Sequence, residues 1–262
     1  VLLADKPAGV TSHDVVAGTR RRFGRGVKVG HAGTLDPFAT GLLLVLVGRA
    51  TRVQRFLMAL PKRYEVVARF GAVSTTGDPE GEIVETGVLP EGALELPVGV
   101  VRQRPPAYSA IKVAGRRAYS LARAGEEVDL PEREVTVYRF EERWREGDRR
   151  GFVIECSSGT YVRSLIADLG DAYCLELRRT RIGQFDVADA SQEVMPLDTA
   201  LSFLPEVRLE GEDAERAAHG RAVPGLPPCG GDTVRLVDSE GVIAIAERLD
   251  DGSLKPVVGF RG

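Results

Sequence analysis

HAGTLDPFATGLLLVLVG, residues 31 to 48, places a tightly specified turn directly before an apolar run. Pro37 pushes the backbone of Asp36 away from the helical region and toward extended geometry. Gly33 and Gly41 allow close turns on either side. The run Leu42 to Val47 is short, rich in branched residues and bounded by glycine, which predicts a buried strand. The Asp36 carboxylate is therefore expected on a stiff loop at a strand entrance. Asp-Pro also starts ordinary turns, but His31, Thr34 and Thr40 add short polar groups around this one. The stretch holds no second carboxylate and no metal-ligand spacing.

Outward from this turn, VLLADKP at 1–7 reads as a strand stopped by Pro7 and Gly9. Thr11 offers an N-cap, and Asp14 closes a short-armed capping box. Val15, Val16, Thr19 and Phe23 continue at helical spacing. Residues 51–60 predict a second helix with Val53, Phe56, Leu57 and Leu60 on one face. KRYEVVARFG at 62–71 alternates, so Tyr64, Val66, Ala68 and Phe70 share a strand face. EVTVYRFEERW and RGFVIECSSG predict two strands joined by a charged turn at 146–150. SGTYVRSLIADLG runs from strand end into helix, with Val162, Leu165, Ile166 and Leu169 inward. RRTRIGQFDV at 178–187 is a further strand, and the stretch from Arg102 combines prolines with a short basic helix. Past Pro205 the pattern changes to short strands, TVRLVD, GVIAIAERL and LKPVVGF, with one short helix at 212–219. Strands follow one another directly, without a βαβ rhythm. The expected fold is α+β: a mixed, largely antiparallel sheet with flanking helices over residues 1–204, plus a small β-rich module over 205–262.

The 262 residues, 43% hydrophobic and 28% charged, are enough for a core of ordinary size. The net charge of −3 excludes a general polycation, so nucleic-acid binding would use local basic patches. Cys156, Cys174 and Cys229 are far apart and odd in number, which fits reduced thiols in a cytoplasmic protein. The three histidines form no HxxxH or HExxH pattern, and no metal or cofactor is expected. The apolar runs are too short to span a bilayer.

Two acid-free basic runs stand out. One holds Arg20, Arg21, Arg22, Arg25 and Lys28; the other holds Arg102, Arg104, Lys112, Arg116, Arg117 and Arg123, interleaved with Tyr108 and Tyr119. Cations for phosphates and rings for bases suit RNA, against the plain alternative of a solvated face. In GTYVRSL, Arg163 falls in the first turn of a helix, where the macrodipole is positive. Either its head lies in water or it is aimed at a carboxylate that it keeps ionised. Tyr64 is either core packing or a stacking surface for a planar ligand.

GHAGTLDPFATGLL, KRYEV, RPPAYSAIKVAGRRAYSLARAGEEV and GTYVRSLIADLG, in this order, resemble the TruB family of tRNA pseudouridine synthases. The similarity runs from LLADKPAGVTSHDVV to about RIGQF. It implies a pseudouridine synthase fold and isomerisation of uridine at position 55 in the T loop of tRNA. It implies that Asp36 is the catalytic aspartate, Tyr64 the tyrosine on the flipped base, and Arg163 the arginine paired with the aspartate. His31 matches a histidine that helps hold the T loop open, and Lys6 with Pro7 a structural motif near the site. On the RNA side the resemblance groups Lys6, His31, Arg20, Arg21, Arg104, Tyr108, Lys112, Arg116, Arg117 and Arg179. Residues of about 102–128 correspond to a thumb that closes over RNA, and 205–262 to a PUA-like RNA-binding domain. That module is net acidic, with 11 Asp and Glu against 7 Lys and Arg. The expected partner is the tRNA T stem-loop, with no membrane and no obligate protein partner, the chain acting as a monomer. The competing readings are a guide-RNA-dependent synthase of the dyskerin type and a non-catalytic tRNA-binding or folding protein.

Overall fold

The apolar alternation at 62–70 becomes the central strand of a nine-stranded sheet. This computed structural model describes residues 1–106, 112–113, 116–117, 130–225 and 231–261. Its strands are β1 (Leu2–Lys6), β2 (Val29–Ala32), β3 (Thr40–Val47), β4 (Lys62–Phe70), β5 (Ala72–Ser74), β6 (Ile83–Glu85), β7 (Gly99–Gln103), β8 (Lys112–Val113), β9 (Arg116–Arg117), β10 (Arg133–Glu146), β11 (Arg149–Cys156), β12 (Ala172–Ile182) and β13 (Phe185–Asp186). The large sheet runs β1-β3-β12-β4-β11-β10-β7, with β2 on β3 and β13 on β12. Its pairings are antiparallel except at the seam between β3 and β12. The mixed, largely antiparallel α+β fold expected from the sequence is thus present.

The seam positions the site. Arg178 registers with Thr40 and Arg179 with Gly41. Gly41 has φ +102°, and a Cβ there would lie 2.2 Å from the Arg179 carbonyl oxygen. Only glycine allows the backbones to meet this closely, which explains why the apolar run opens on that residue. On the other side of β12, Tyr64 pairs with Arg179 across β4. The loop before β3 and the inner face of β4 are thereby brought side by side.

Tyr64, Val66, Ala68 and Phe70 face inward with Phe152 and Ile154 of β11. Helix Val162–Ala167 covers them with Val162, Leu165 and Ile166, while Leu169 packs at the margin. Helix Ser12–Phe23 begins in the capping box expected at Thr11 and Asp14. The Thr11 amide donates to the Asp14 carboxylate at 2.9 Å, and the Asp14 amide donates to the Thr11 hydroxyl at 3.1 Å.

Two local expectations are corrected. The helix expected over 51–60 is a 3-10 turn, Gly48–Val53, followed by helix Gln54–Ala59. The Thr51 hydroxyl donates to the Gly48 carbonyl at 2.8 Å, a local bond that competes with regular helix. β12 begins at Ala172, six residues earlier than the strand read at 178. Irregularities between Cys174 and Glu176, and between Arg179 and Arg181, break its two-residue period and hide it from pattern reading. In the proposed thumb, Lys112–Val113 and Arg116–Arg117 form a two-stranded antiparallel ladder, and the short basic helix expected in this stretch falls outside the described residues. Residues 107–111, 114–115 and 118–128 of that stretch, Tyr108 among them, lie outside the described residues.

The C-terminal part forms a four-stranded sheet, β14 (Glu206–Arg208), β15 (Thr233–Asp238), β16 (Gly241–Arg248) and β17 (Leu254–Gly259), with helix Gly211–Ala218 against it. Ile245 and Phe260 join the apolar cluster of Val1, Leu3, Leu42 and Leu201. Arg49 donates to the Phe260 carbonyl at 2.8 Å and Arg52 to that of Gly259 at 2.7 Å. Arg55 pairs with Glu247 at 3.0 Å. The small sheet therefore shares its packing with the large one.

Candidate active site

The Asp36 loop is held from three sides. The Ser12 hydroxyl bridges the Leu35 backbone, accepting from its amide at 2.8 Å and donating to its carbonyl at 3.0 Å. Lys6 donates to the Pro37 carbonyl at 3.1 Å, and the Gly9 amide donates to the same oxygen at 2.9 Å. Arg179 donates to the carbonyls of Gly33 at 3.0 Å and Thr34 at 3.4 Å. A short loop fixed at each end presents its carboxylate with little freedom to turn away.

Arg163 reaches this carboxylate from the first turn of helix Val162–Ala167, its Nε lying 3.0 Å from Asp36 Oδ2. The alternative of an arginine with its head in water is removed, because the side chain is 4% exposed. A second carboxylate shares the guanidinium: Arg163 Nη1 lies 3.0 Å from Asp78 Oδ2 and donates to the Thr76 carbonyl at 2.7 Å. Asp78 is itself fixed by the Thr76 hydroxyl at 2.6 Å and the Glu80 amide at 3.0 Å. The lone aspartate of the sequence is thus one of two acids on one arginine. Sequence reading missed Asp78 because STTGDPEGE reads as a solvated turn. Its signal was a second Asp-Pro pair, 42 positions beyond the first.

These side chains converge on a cleft of about 240 Å³ lined by Asp36, Tyr64, Arg163, Arg179, Lys62, Arg133 and the turn Ser157–Tyr161. Burial raises the Asp36 pKa above the ordinary aspartate range; Arg163 and Lys6 oppose the shift and Asp78 adds to it. Burial also raises the phenol of Tyr64, so it is protonated at neutral pH and available as a donor. Lys62 is pushed down to about 8 by burial, with Arg179 adding to the shift. Its ammonium donates to the carbonyls of Met58 and Leu60 at the end of the preceding helix. The arrangement brings together a carboxylate, a cation that opposes its protonation, and a neutral phenol in one cleft.

Four of the expected site residues, Asp36, Tyr64, Arg163 and Arg179, meet in the cleft. Two are corrected in role. Lys6 is fully buried, with its ammonium spent on the carbonyls of Pro7, Val10 and Pro37, so it braces the loop and does not grip RNA. Arg179 is 1% exposed, and three backbone carbonyls, those of Gly33, Thr34 and Leu42, take its guanidinium. Both belong under the site because each satisfies buried carbonyls that would otherwise lack donors. His31 lies on β2 before the loop, its Nδ1 buried without a partner and its pKa lowered by burial. Arg20 and Arg21 are exposed on helix Ser12–Phe23, and Arg104 is exposed after β7. The side chains of Lys112, Arg116 and Arg117 lie outside the described residues, as does Cys229. Cys156 and Cys174 are buried free thiols. Among the described residues no cluster of potential ligands could hold a metal, and no helix is long and apolar enough to cross a membrane.

Comparison with known proteins places this geometry. The family model described as TruB family pseudouridylate synthase, N-terminal domain, matches residues 20–162. The tRNA pseudouridine synthase B of Thermobifida fusca (strain YX) is 43% identical, over all of this chain and 98% of its own. The same-named protein of Gluconacetobacter diazotrophicus (strain ATCC 49037) is 40% identical over 97% of this chain and 95% of its own. Among solved structures, a Cbf5-Nop10-Gar1 complex superposes with a TM-score of 0.70 at 27% identity, over 95% of this chain and 78% of that one. An arginine-held aspartate in the cleft of this mixed sheet, with these likenesses, defines a pseudouridine synthase. Within that class the chain belongs to the TruB family.

Proposed function

We propose that this protein isomerises uridine to pseudouridine at position 55 in the T loop of tRNA, acting alone as a monomer. The observation that carries this reading is Asp36, held 3.0 Å from Arg163 in a cleft that Tyr64 also lines. The names of the bacterial relatives supply the substrate class.

The reaction conserves atoms and electrons. The N1–C1′ bond breaks, the uracil turns, a C5–C1′ bond forms, the C5 proton leaves and N1 gains one. Asp36 serves as nucleophile, either at C1′ of the ribose or at C6 of the base. Arg163 offsets the loss of water that would otherwise neutralise the carboxylate. Tyr64 packs on the everted base and carries a proton. Unstacking the target costs a few kcal/mol, offset by backbone contacts from Arg20, Arg21, Arg104 and the thumb at about 102–128. His31 helps hold the T loop open, and residues 205–262 form a PUA-like module whose acidity confines any RNA contact to local patches.

The test is incubation of purified protein with an unmodified tRNA transcript, followed by mapping of pseudouridine. Product at a single T-loop uridine is expected without any guide RNA. Asp36→Asn should bind tRNA and form none. Modification only after a guide RNA is added would instead support the dyskerin-type reading, which the structural likeness to the Cbf5 complex keeps specific. Tight binding by wild type without product would support the folding-protein reading.

A further inference from the structure

Arg133 opens β10 and lines the same cleft as Asp36, Tyr64 and Arg163, and the mechanism above does not use it. Its guanidinium lies over the Tyr161 ring, 4.6 Å from the centroid, and donates through Nη2 to the Gly159 carbonyl. These contacts fix the plane of the fork without neutralising it: among the described residues no carboxylate pairs with Arg133. Its Nε is shielded from solvent yet has no hydrogen-bond partner. A cation held on a ring and a carbonyl, with no carboxylate beside it, still attracts an anion from outside. The cleft already holds groups suited to a base, namely Asp36, Tyr64 and Arg163. A nucleotide whose base meets them brings its flanking phosphates to the remaining lining, where Arg133 is a cation without a carboxylate partner among the described residues.

We propose that Arg133 is a substrate-binding residue that takes a backbone phosphate flanking the everted uridine, through Nη1, to which no described residue offers an acceptor. The inference rests on the uridine-isomerase reading. Arginine suits this task because its planar fork presents adjacent donors to phosphate oxygens.

The test pairs protein and RNA changes. Single-turnover rates and binding would be measured for wild type, Arg133→Gln and Arg133→Lys. The substrates are T-arm RNAs with a neutral methylphosphonate at the linkage 5′ or 3′ of the target uridine. On unmodified RNA, Arg133→Gln should lose about tenfold in affinity, the scale of one charge-assisted bond, and Arg133→Lys should recover part of it. One of the two neutral linkages should cost wild type about as much and cost Arg133→Gln nothing further. Equal additional losses in both proteins at both linkages would overturn the proposal and leave Arg133 as a clamp on Tyr161. No product from wild type on any RNA would instead overturn the functional reading beneath it. Retention of the wild-type melting temperature in Arg133→Lys keeps the comparison interpretable.

Discussion

Burial raises the pKa of Asp36, and the buried Arg163 guanidinium at 3.0 Å opposes that shift. The Asp36 pKa is still raised in the folded state, so the native protein holds this proton more tightly than the unfolded chain. Between the unfolded value of about 3.9 and the raised folded value, stability falls as pH rises. At neutral pH the ionised acid therefore costs stability. Asp36→Asn should melt at a higher temperature than wild type at pH 7, and the gap should close below about pH 3.9. A lower melting temperature for the variant at pH 7 would falsify this account. Turnover should fall on the acid side through a limb lying above the ordinary aspartate range, seen in a kcat profile. Asp78 differs, being buried and bound by Thr76 and Glu80 as well as by Arg163. Replacing it with Ala strips the Thr76 hydroxyl, the Glu80 amide and one nitrogen of the buried Arg163 of their acceptor at once, so a loss of about 3–5 kcal/mol is expected in denaturant melts. Turnover should drop more than tRNA affinity, since the lost partner aims Arg163. Asp36 and Arg163 were legible because a stiff turn and an unfavourably placed cation both asked for an explanation. Asp78 was not, because its burial comes from packing against elements distant in the chain.

At the scale of elements, the β3–β12 seam decides the site. Gly41→Ala would force a Cβ into contact with the Arg179 backbone at a positive φ. A loss of more than about 3 kcal/mol is expected, as for strain added to overpacking, and melts that match wild type would show that the seam can open. The cap at Thr11 is a milder case, and Thr11→Ala should cost about 1 kcal/mol with activity retained. The capping box and the β4 alternation were readable because both depend on neighbours within a few residues. β12 was readable only in part. Its irregularities exist to bring Arg179 against both Gly41 and Tyr64, and a strand shaped by two partners loses its simple period.

Over the whole molecule, the C-terminal sheet is part of the larger core and not a detached arm. Phe260, 5% exposed, packs with residues of the first sheet, and Arg49 and Arg52 close on the carbonyls beside it. Phe260→Ala should cost about 3–5 kcal/mol and lower one cooperative transition for the entire chain. A separate early transition confined to residues 205–262 would contradict that coupling. The sequence by itself determined the α+β class, the mixed sheet, the stiff aspartate turn and the family resemblance, because turn chemistry and hydrophobic period act over short stretches. Only the tertiary structure decided that Arg163 carries two acids, that Lys6 and Arg179 brace the loop from below, and that Arg133 faces the cleft with a spare donor. Those facts depend on where distant strands cross, and no spacing along the chain encodes the crossing.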